Sequence, residues 1–317
     1  MIPKFMKVSI LIPTYKRPEF LKQCIQSCIQ QTLKPCEILI GDDYPGEDTL
    51  TAINSFEVDF PIIHNRNKPS LGQAKNVDSL IQLACGDLCC LIHDDDLLEP
   101  DALENLARVF TKDNDVIFSF GKQYVISNDG DLKEQESLDL NAAYCRSSDR
   151  AGIQPDILKA ALLQQMPNNG YLVRSDYAKE IGYADHSYDY GDACDFGFCL
   201  ELALKYSHKK VLFVDEFVSS YRESDISIAR TKSTNDCMFR SFCLQYSYGK
   251  LIYELDPDMN RALEAKIPGA IANAIQRGEL LTARRWMMSR YHWKRLLSLG
   301  GIKRFLMLIN ASFALNK

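Results

Sequence analysis

Apolar residues change their spacing repeatedly along the first hundred residues of this 317-residue chain. Val8-Ser9-Ile10-Leu11-Ile12 is a short β-branched run ended by Pro13, which predicts a strand. From Glu19 to Gln31 the apolar positions Phe20, Leu21, Cys24, Ile25, Cys28 and Ile29 recur at three- and four-residue intervals, the spacing of a one-sided helix. The alternation continues, with strands predicted at 37–41, 61–64 and 88–92 and helices at 49–56 and 72–84. Strands separated by helices pair in parallel through right-handed crossovers, so the expected class is α/β, a mostly parallel sheet flanked by helices. Further on, 116–120, 123–126, 169–173 and 210–214 read as strands, and 157–165 and 195–206 as helices. From about Asn235 the pattern is helical throughout, with no internal repeat and no Gly/Ser linker.

Ligands of such sheets bind beyond the carboxyl ends of the strands. At those ends this chain carries Pro13-Thr14-Tyr15-Lys16-Arg17, Asp42-Asp43-Tyr44, Asn65-Arg66-Asn67 and His93-Asp94-Asp95-Asp96. Three consecutive aspartates repel one another unless a cation or hydrogen-bond donors compensate. Hard oxygen ligands suit Mg²⁺ or Mn²⁺, and an ion held by one or two carboxylates keeps positions open for diphosphate oxygens. The alternative is a solvated turn in which Asp96 caps a helix beginning near Pro100. Asp42 and Asp43 are either turn residues or acceptors for a ribose or a base N–H, and Tyr15 is placed to stack on a base. Together these groups describe a nucleotide-diphosphate pocket. No Gly-x-Gly-x-x-Gly or Walker-type loop follows a strand, so phosphate is not cradled as in dinucleotide or P-loop folds.

Composition adds limits. With 46% hydrophobic and 25% charged residues the chain is ordinary for a soluble globular protein, which excludes disordered and low-complexity classes. A net charge of −5 argues against a nucleic-acid partner. That average hides a split. Arg277 to Lys317 holds nine Lys or Arg and one acid, Glu279, a local +8, and leaves 28 basic and 41 acidic residues, a net −13, before it. Eleven cysteines, several inside apolar runs and none in a Cys-x-x-Cys pair, read as free thiols of a reducing cytosol. Neither a signal-peptide pattern nor a run of about 18 apolar residues occurs. A cytoplasmic protein is expected, with contact to the inner face of the membrane left open.

The order of motifs resembles glycosyltransferase family 2, inverting enzymes of the GT-A fold. The likeness rests on Ser9-Ile10-Leu11-Ile12-Pro13-Thr14-Tyr15-Lys16-Arg17, Cys28-Ile29-Gln30-Gln31-Thr32, Ile40-Gly41-Asp42-Asp43, and Asn67 through Gly72 to Asn76. It continues through Ala84-Cys85-Gly86-Asp87, His93 to Pro100, Val173-Arg174 with Ile181-Gly182, Asp195 to Ala203, and Tyr221-Arg222, spanning roughly residues 7–230. The resemblance implies transfer of a sugar from a nucleoside-diphosphate sugar, with UDP favoured over dTDP or GDP, to an acceptor hydroxyl on a saccharide or lipid-linked saccharide. It further implies bacterial-type surface polysaccharide or glycolipid assembly. In this reading residues 1–235 form the catalytic domain, with a nucleotide-sugar half (1–100) and an acceptor half (101–235), and 236–317 form a helical basic extension.

The family places Tyr15 and Asp43 against the base and an Asp-x-Asp cluster on metal and diphosphate. Anchoring on Leu98-Glu99-Pro100 puts His93 where many relatives have their first aspartate, so Asp95 becomes the preferred ligand of Mn²⁺ or Mg²⁺, with Asp94 and Asp96 assisting. One-step inversion needs a carboxylate to take the acceptor hydroxyl's proton. By resemblance that base is Asp195, with Asp192 the second choice; Asp195 could equally be a helix cap. Cys194 and Glu201 depart from the family's glutamate and arginine, and Ser224 from its frequent histidine. Arg222 either pairs with phosphate or forms a surface salt bridge. His93, His64 and His186 read as structural, and Trp286 and Trp293 as core or interface. Alternatives to the enzyme are a nucleotide-sugar binder that has lost its base and a nucleotidyltransferase. The basic, aromatic-rich segment 284–315 fits an anionic membrane interface, or packing on the acidic domain or a second subunit.

Overall fold

The computed structural model describes residues 6–183, 193–223 and 232–315. These fall into two compact units, one holding 6–183 with 194–223 and the other 232–315. In sequence, the division was expected at 235/236. The halves expected at 1–100 and 101–235 both contribute strands to one sheet.

The strands are β1 (Val8–Thr14), β2 (Glu37–Asp42), β3 (Ile62–Arg66), β4 (Leu88–Leu91), β5 (Leu97–Leu98), β6 (Val116–Ile126), β7 (Gly152–Ile153), β8 (Tyr171–Arg174) and β9 (Lys210–Arg222). Their order is β3-β2-β1-β4-β8-β6-β9-β5, with β7 on β9. β3, β2, β1 and β4 are parallel, and β8 runs antiparallel between β4 and β6. Every residue of β1, β2 and β4 is buried, as expected of parallel strands covered on both faces.

The helices of this unit are α1 (Pro18–Ile29), α2 (Asp48–Ile53), α3 (Gln73–Leu83), α4 (Ala102–Ala107), α5 (Glu134–Ala143), α6 (Ile157–Leu162), α7 (Ser175–Ile181) and α8 (Cys194–Lys205). Alternation along β1 sorts them into layers. Ile10 and Ile12 join Leu21, Cys24 and Ile25 of α1 and Leu103 and Leu106 of α4 in one core. Leu11 faces the other way, into a core with Val77 and Leu80 of α3 and Phe198 of α8. Pro18 opens α1 at a position where a missing N–H costs nothing.

Two strands differ from expectation. β6 is one strand where two were expected, because the polar Lys122-Gln123 sits at shifts of register against β9 that keep the ladder going. β9 extends to Arg222 rather than ending at Val214. Its polar second half, Ser219 to Arg222, is held by β6 on one side and β5 on the other.

The second unit is helical: α9 (Lys232–Leu251), α10 (Pro257–Gln276), α11 (Leu280–Met287) and α12 (Leu299–Leu315). Asp256 caps α10 by accepting from the N–H groups of Asp258 and Met259. Buried Trp286 centres this unit, with Phe239, Phe242 and Tyr246 at ring distances of 5.6, 4.9 and 5.8 Å. No helix among the described residues is long and apolar enough to cross a membrane. The described cysteines are free thiols, and Cys24, Cys28, Cys89, Cys90 and Cys199 are buried.

Candidate active site

The ends of β1, β2 and β4 bring the expected residues together, but each does different work. Pro13 lies buried within β1, paired with Gly41, and Asp42 is fully buried at the end of β2. Asp42 accepts from the Tyr44 N–H (2.9 Å) and lies 2.9 Å from His64 Nε2. Both positions are enclosed by the sheet and its loops. Asp43 accepts from Asn67 Nδ2 (2.8 Å) and from the backbone N–H groups of Leu71 (3.2 Å) and Gly72 (2.8 Å), so it fixes the loop that opens α3. Gly72 takes a φ of 79°, and a carboxylate before a helix N-terminus is electrostatically favoured. Asn76 Oδ1 accepts from the same Asn67, while its Nδ2 donates 2.7 Å to Gly41 O.

Tyr15 is 51% exposed and meets the Tyr44 ring edge-on at 6.0 Å. Lys16 Nζ stands 5.0 and 5.4 Å from the two ring centres. Lys16 has φ 60°, uncommon for a residue with a Cβ, where the chain leaves β1 and turns into α1. An aromatic pair topped by an ammonium group offers a stacking face and a positive charge side by side.

The three aspartates after β4 take different sets of partners, with Arg17 shared by the first two. Asp94 accepts from Thr14 Oγ1 (2.7 Å), the Tyr15 N–H (3.3 Å) and Arg17 Nη1 (3.3 Å). Asp95 takes the same Arg17 nitrogen at 2.5 Å. Asp96 is fully buried and accepts from Asn169 Nδ2 (2.6 Å) and the Arg222 N–H (2.8 Å), so it is not the helix cap. Asp101 stands at the start of α4 instead. His93, Asp95 and Asp96 have ligand atoms within 4.8 Å of one another. Of the expected ligand trio, Asp95 and Asp96 thus lie in a group with His93 that could hold an ion, while Asp94 is hydrogen-bonded to Thr14, Tyr15 and Arg17.

Burial sets the electrostatics. It pushes the Asp94 carboxyl up to about 6 and that of Asp96 to about 7, and Asp95 beside them adds to both. Burial opposes the charged form of His93, but Asp195, Asp96, Asp95 and Asp94 outweigh it and raise the imidazole pKa. His93 Nε2 is buried without a hydrogen-bond partner. Clustered carboxylates with raised proton affinity and a buried imidazole nitrogen lacking a partner suit a divalent cation.

Arg222 corrects one expectation. Its guanidinium is buried, with Nε donating to Asp95 O (2.8 Å), Nη1 to Asn128 O (2.9 Å) and Nη2 to Gln23 Oε1 (2.8 Å), above the Phe20 ring. It is turned into the protein to brace the aspartate loop, and is not a surface ion pair.

Asp195 lies in the first turn of α8, and the hydroxyl of Tyr183 donates to its Oδ1. Burial raises its pKa, while His93 and the Tyr183 hydrogen bond pull the other way. Electrostatic interaction with His93 ties Asp195 to the acidic cluster. Tyr183 is itself fixed by Asp78 of α3, which accepts its backbone N–H at 2.7 Å. Asp192 lies outside the described residues. His93, Asn169, Tyr183 and Tyr44 join the site without having been assigned a role there. His93 and Tyr44 carried a signal, their places directly after β4 and β2, and His93 also stands in register with the family's first aspartate.

The sequence profile of glycosyl transferase family 2 matches residues 9–168, just over half the chain. The chain belongs to glycosyl transferase family 2. Among curated relatives of this family-2 chain, the chondroitin synthase of Pasteurella multocida strain Pm70 is 30% identical over 125 residues, 39% of this chain and 13% of that protein. The abequosyltransferase RfbV of Salmonella typhimurium is 33% identical over 115 residues, 35% of this chain and 34% of that protein. The family-2 chain thus matches well under half the length of these relatives. Among solved structures, S. aureus TarS 1–349 in complex with UDP-GlcNAc superposes with a TM-score of 0.59 at 14% identity, over 89% of this chain and 88% of that one. The mannosyltransferase PcManGT from Pyrobaculum calidifontis, in complex with GDP-Man and Mn²⁺, gives a TM-score of 0.59 at 13% identity, over 98% and 87%. The fold is accordingly the expected GT-A type.

Proposed function

We propose that this family-2 protein is an inverting glycosyltransferase that uses a divalent cation, moving a sugar from a nucleoside-diphosphate sugar to an acceptor hydroxyl. One observation carries the reading: a His93, Asp95 and Asp96 cluster at the carboxyl end of parallel strands, electrostatically linked to the half-buried carboxylate Asp195. The cluster fits the ion, with two carboxylate oxygens and an imidazole nitrogen inside one ion's reach. That mixed donor set favours Mn²⁺ over Mg²⁺, which demands oxygen ligands. When bound, the ion stabilises negative charge on the departing diphosphate.

The chain's own residues do the rest. Tyr15 and Tyr44 offer the base a stacking face, and Lys16 brings positive charge beside it. Asp195 accepts the acceptor hydroxyl's proton as that oxygen bonds to the anomeric carbon and the bond from this carbon to the diphosphate oxygen breaks. UDP-sugar is the donor class we favour, with a saccharide or lipid-linked saccharide as acceptor. TarS with UDP-GlcNAc supports the first choice, and the polymer-forming relatives support the second. A nucleotidyltransferase would need a free basic loop after β1, whereas Arg17 there is engaged by Asp94 and Asp95.

The test is a thermal-shift screen of UDP-, dTDP- and GDP-sugars with Mn²⁺. A matched donor at about 100 times its Kd stabilises by ~2.7 kcal/mol, roughly 5–10 °C for this size of domain. Excess chelator should remove that shift, and an undiminished shift in chelator would refute the metal assignment.

A further inference from the structure

We propose that the helical unit carries a docking surface for an anionic lipid bilayer, built from the turn at Trp293–Leu297 and the outer face of α12. This inference does not rest on the transferase reading.

A surface helix normally buries one stripe and exposes polar residues on the opposite face. α12 does otherwise. Gly301 and Leu308 are buried and Arg304 is half-buried, three positions on one side. The other side carries Leu299, Ile302, Phe305 and Leu306, which are 90%, 46%, 50% and 54% exposed. Lys303 borders that stripe. The turn before the helix adds Trp293 (54% exposed) and Leu297 (91%) together with exposed Lys294 and Arg295. Gly301 keeps the turn on the helix: a Cβ there would lie 2.0 Å from Arg295 O and 2.6 Å from Leu296 O. The six apolar side chains and the three cations therefore belong to one packed element.

Charge chooses the occupant. From Leu280 to Lys317 the sequence contains eight Lys or Arg and no Asp or Glu. A second copy meeting this patch about a two-fold axis would set like charges against each other. A purely electrostatic polyanion would leave the apolar stripe uncovered. Anionic headgroups satisfy the cations while the interfacial region takes Trp293, Leu297 and Phe305, the pattern of helices that lie in a bilayer surface.

Vesicle sedimentation of the full chain tests this, using phosphatidylcholine with and without about one-third phosphatidylglycerol. The chain should bind the anionic vesicles and not the neutral ones, and binding should weaken as salt rises from about 0.1 to 0.5 M. Replacing Lys294, Arg295 and Lys303 together by Gln should weaken binding roughly 100-fold, taking about 1 kcal/mol per charge. Leu297→Ser with Phe305→Ser should cost roughly tenfold or more. All five positions are exposed, so an unchanged Tm confirms that the fold is intact. No binding to anionic vesicles, equal binding to neutral ones, or binding indifferent to the serine variants would overturn the proposal. Concentration-dependent association without lipid, lost in the same variants, would assign the face to a second copy instead.

Discussion

The hydroxyl of Tyr183 donates to Asp195 and so favours the charged carboxylate that burial opposes. A base works deprotonated, so a raised pKa means activity is lost as pH falls through a value above the ordinary aspartate range. Tyr183→Phe removes the hydrogen bond that lowers the pKa, so the acid limb of the kcat/KM profile should move to higher pH while the plateau is largely kept. An acid limb that stays in place would show that Tyr183 does not tune the base. Arg222 acts differently, through carbonyls rather than substrate. Arg222→Met leaves the carbonyls of Asp95 and Asn128 without their donor, and should cost about 3 kcal/mol in denaturant unfolding. A stability loss well under 1 kcal/mol would mean that the guanidinium is not a brace.

Between elements, the tightest contact near the site is that of β2 with α3. A Cβ on Gly41 would lie 2.0 Å from Asn76 Oδ1, and that oxygen also receives Asn67, the partner of Asp43. Gly41→Ala should therefore destabilise by roughly 1–3 kcal/mol and lower Tm by about 2–10 °C, with donor affinity falling as the Asp43 loop is displaced. An unaltered melting curve would contradict this packing. The alternating strands and helices up to residue 92 were legible because their periodicities differ and each parallel strand from β1 to β4 carries a short apolar run. The second half of β9 was not, since Asp215, Glu216, Ser219 and Ser220 look like a loop until β5 and β6 pair with it. Reversal of β8 within the sheet likewise depends on its neighbours β4 and β6 and not on its own composition.

Across the whole molecule the net −5 resolves into an acidic region holding the site and a basic helical region bearing an apolar face. The aspartates were legible from their run directly after an apolar strand. Their separate tasks were not, because those depend on Thr14, Arg17, Asn169 and Arg222 arriving from positions 73 to 126 residues away. His93 looked structural for the same reason: Asn169 becomes its neighbour only after the chain leading into β8 is in place. The ion assignment follows from this grouping. His93→Ala and Asp95→Asn should each abolish the Mn²⁺-induced rise in Tm, whereas Asp94→Asn should weaken it only in part; an undiminished rise in His93→Ala would return the ion to the aspartates alone.

The central claim is that Asp195 is the base of a sugar transfer, and nucleoside-diphosphate release from the matched donor in Mn²⁺ tests it most directly. Asp195→Asn should lower that rate by ~10²–10⁴-fold with donor affinity unchanged. A variant that turns over at the wild-type rate would contradict the account.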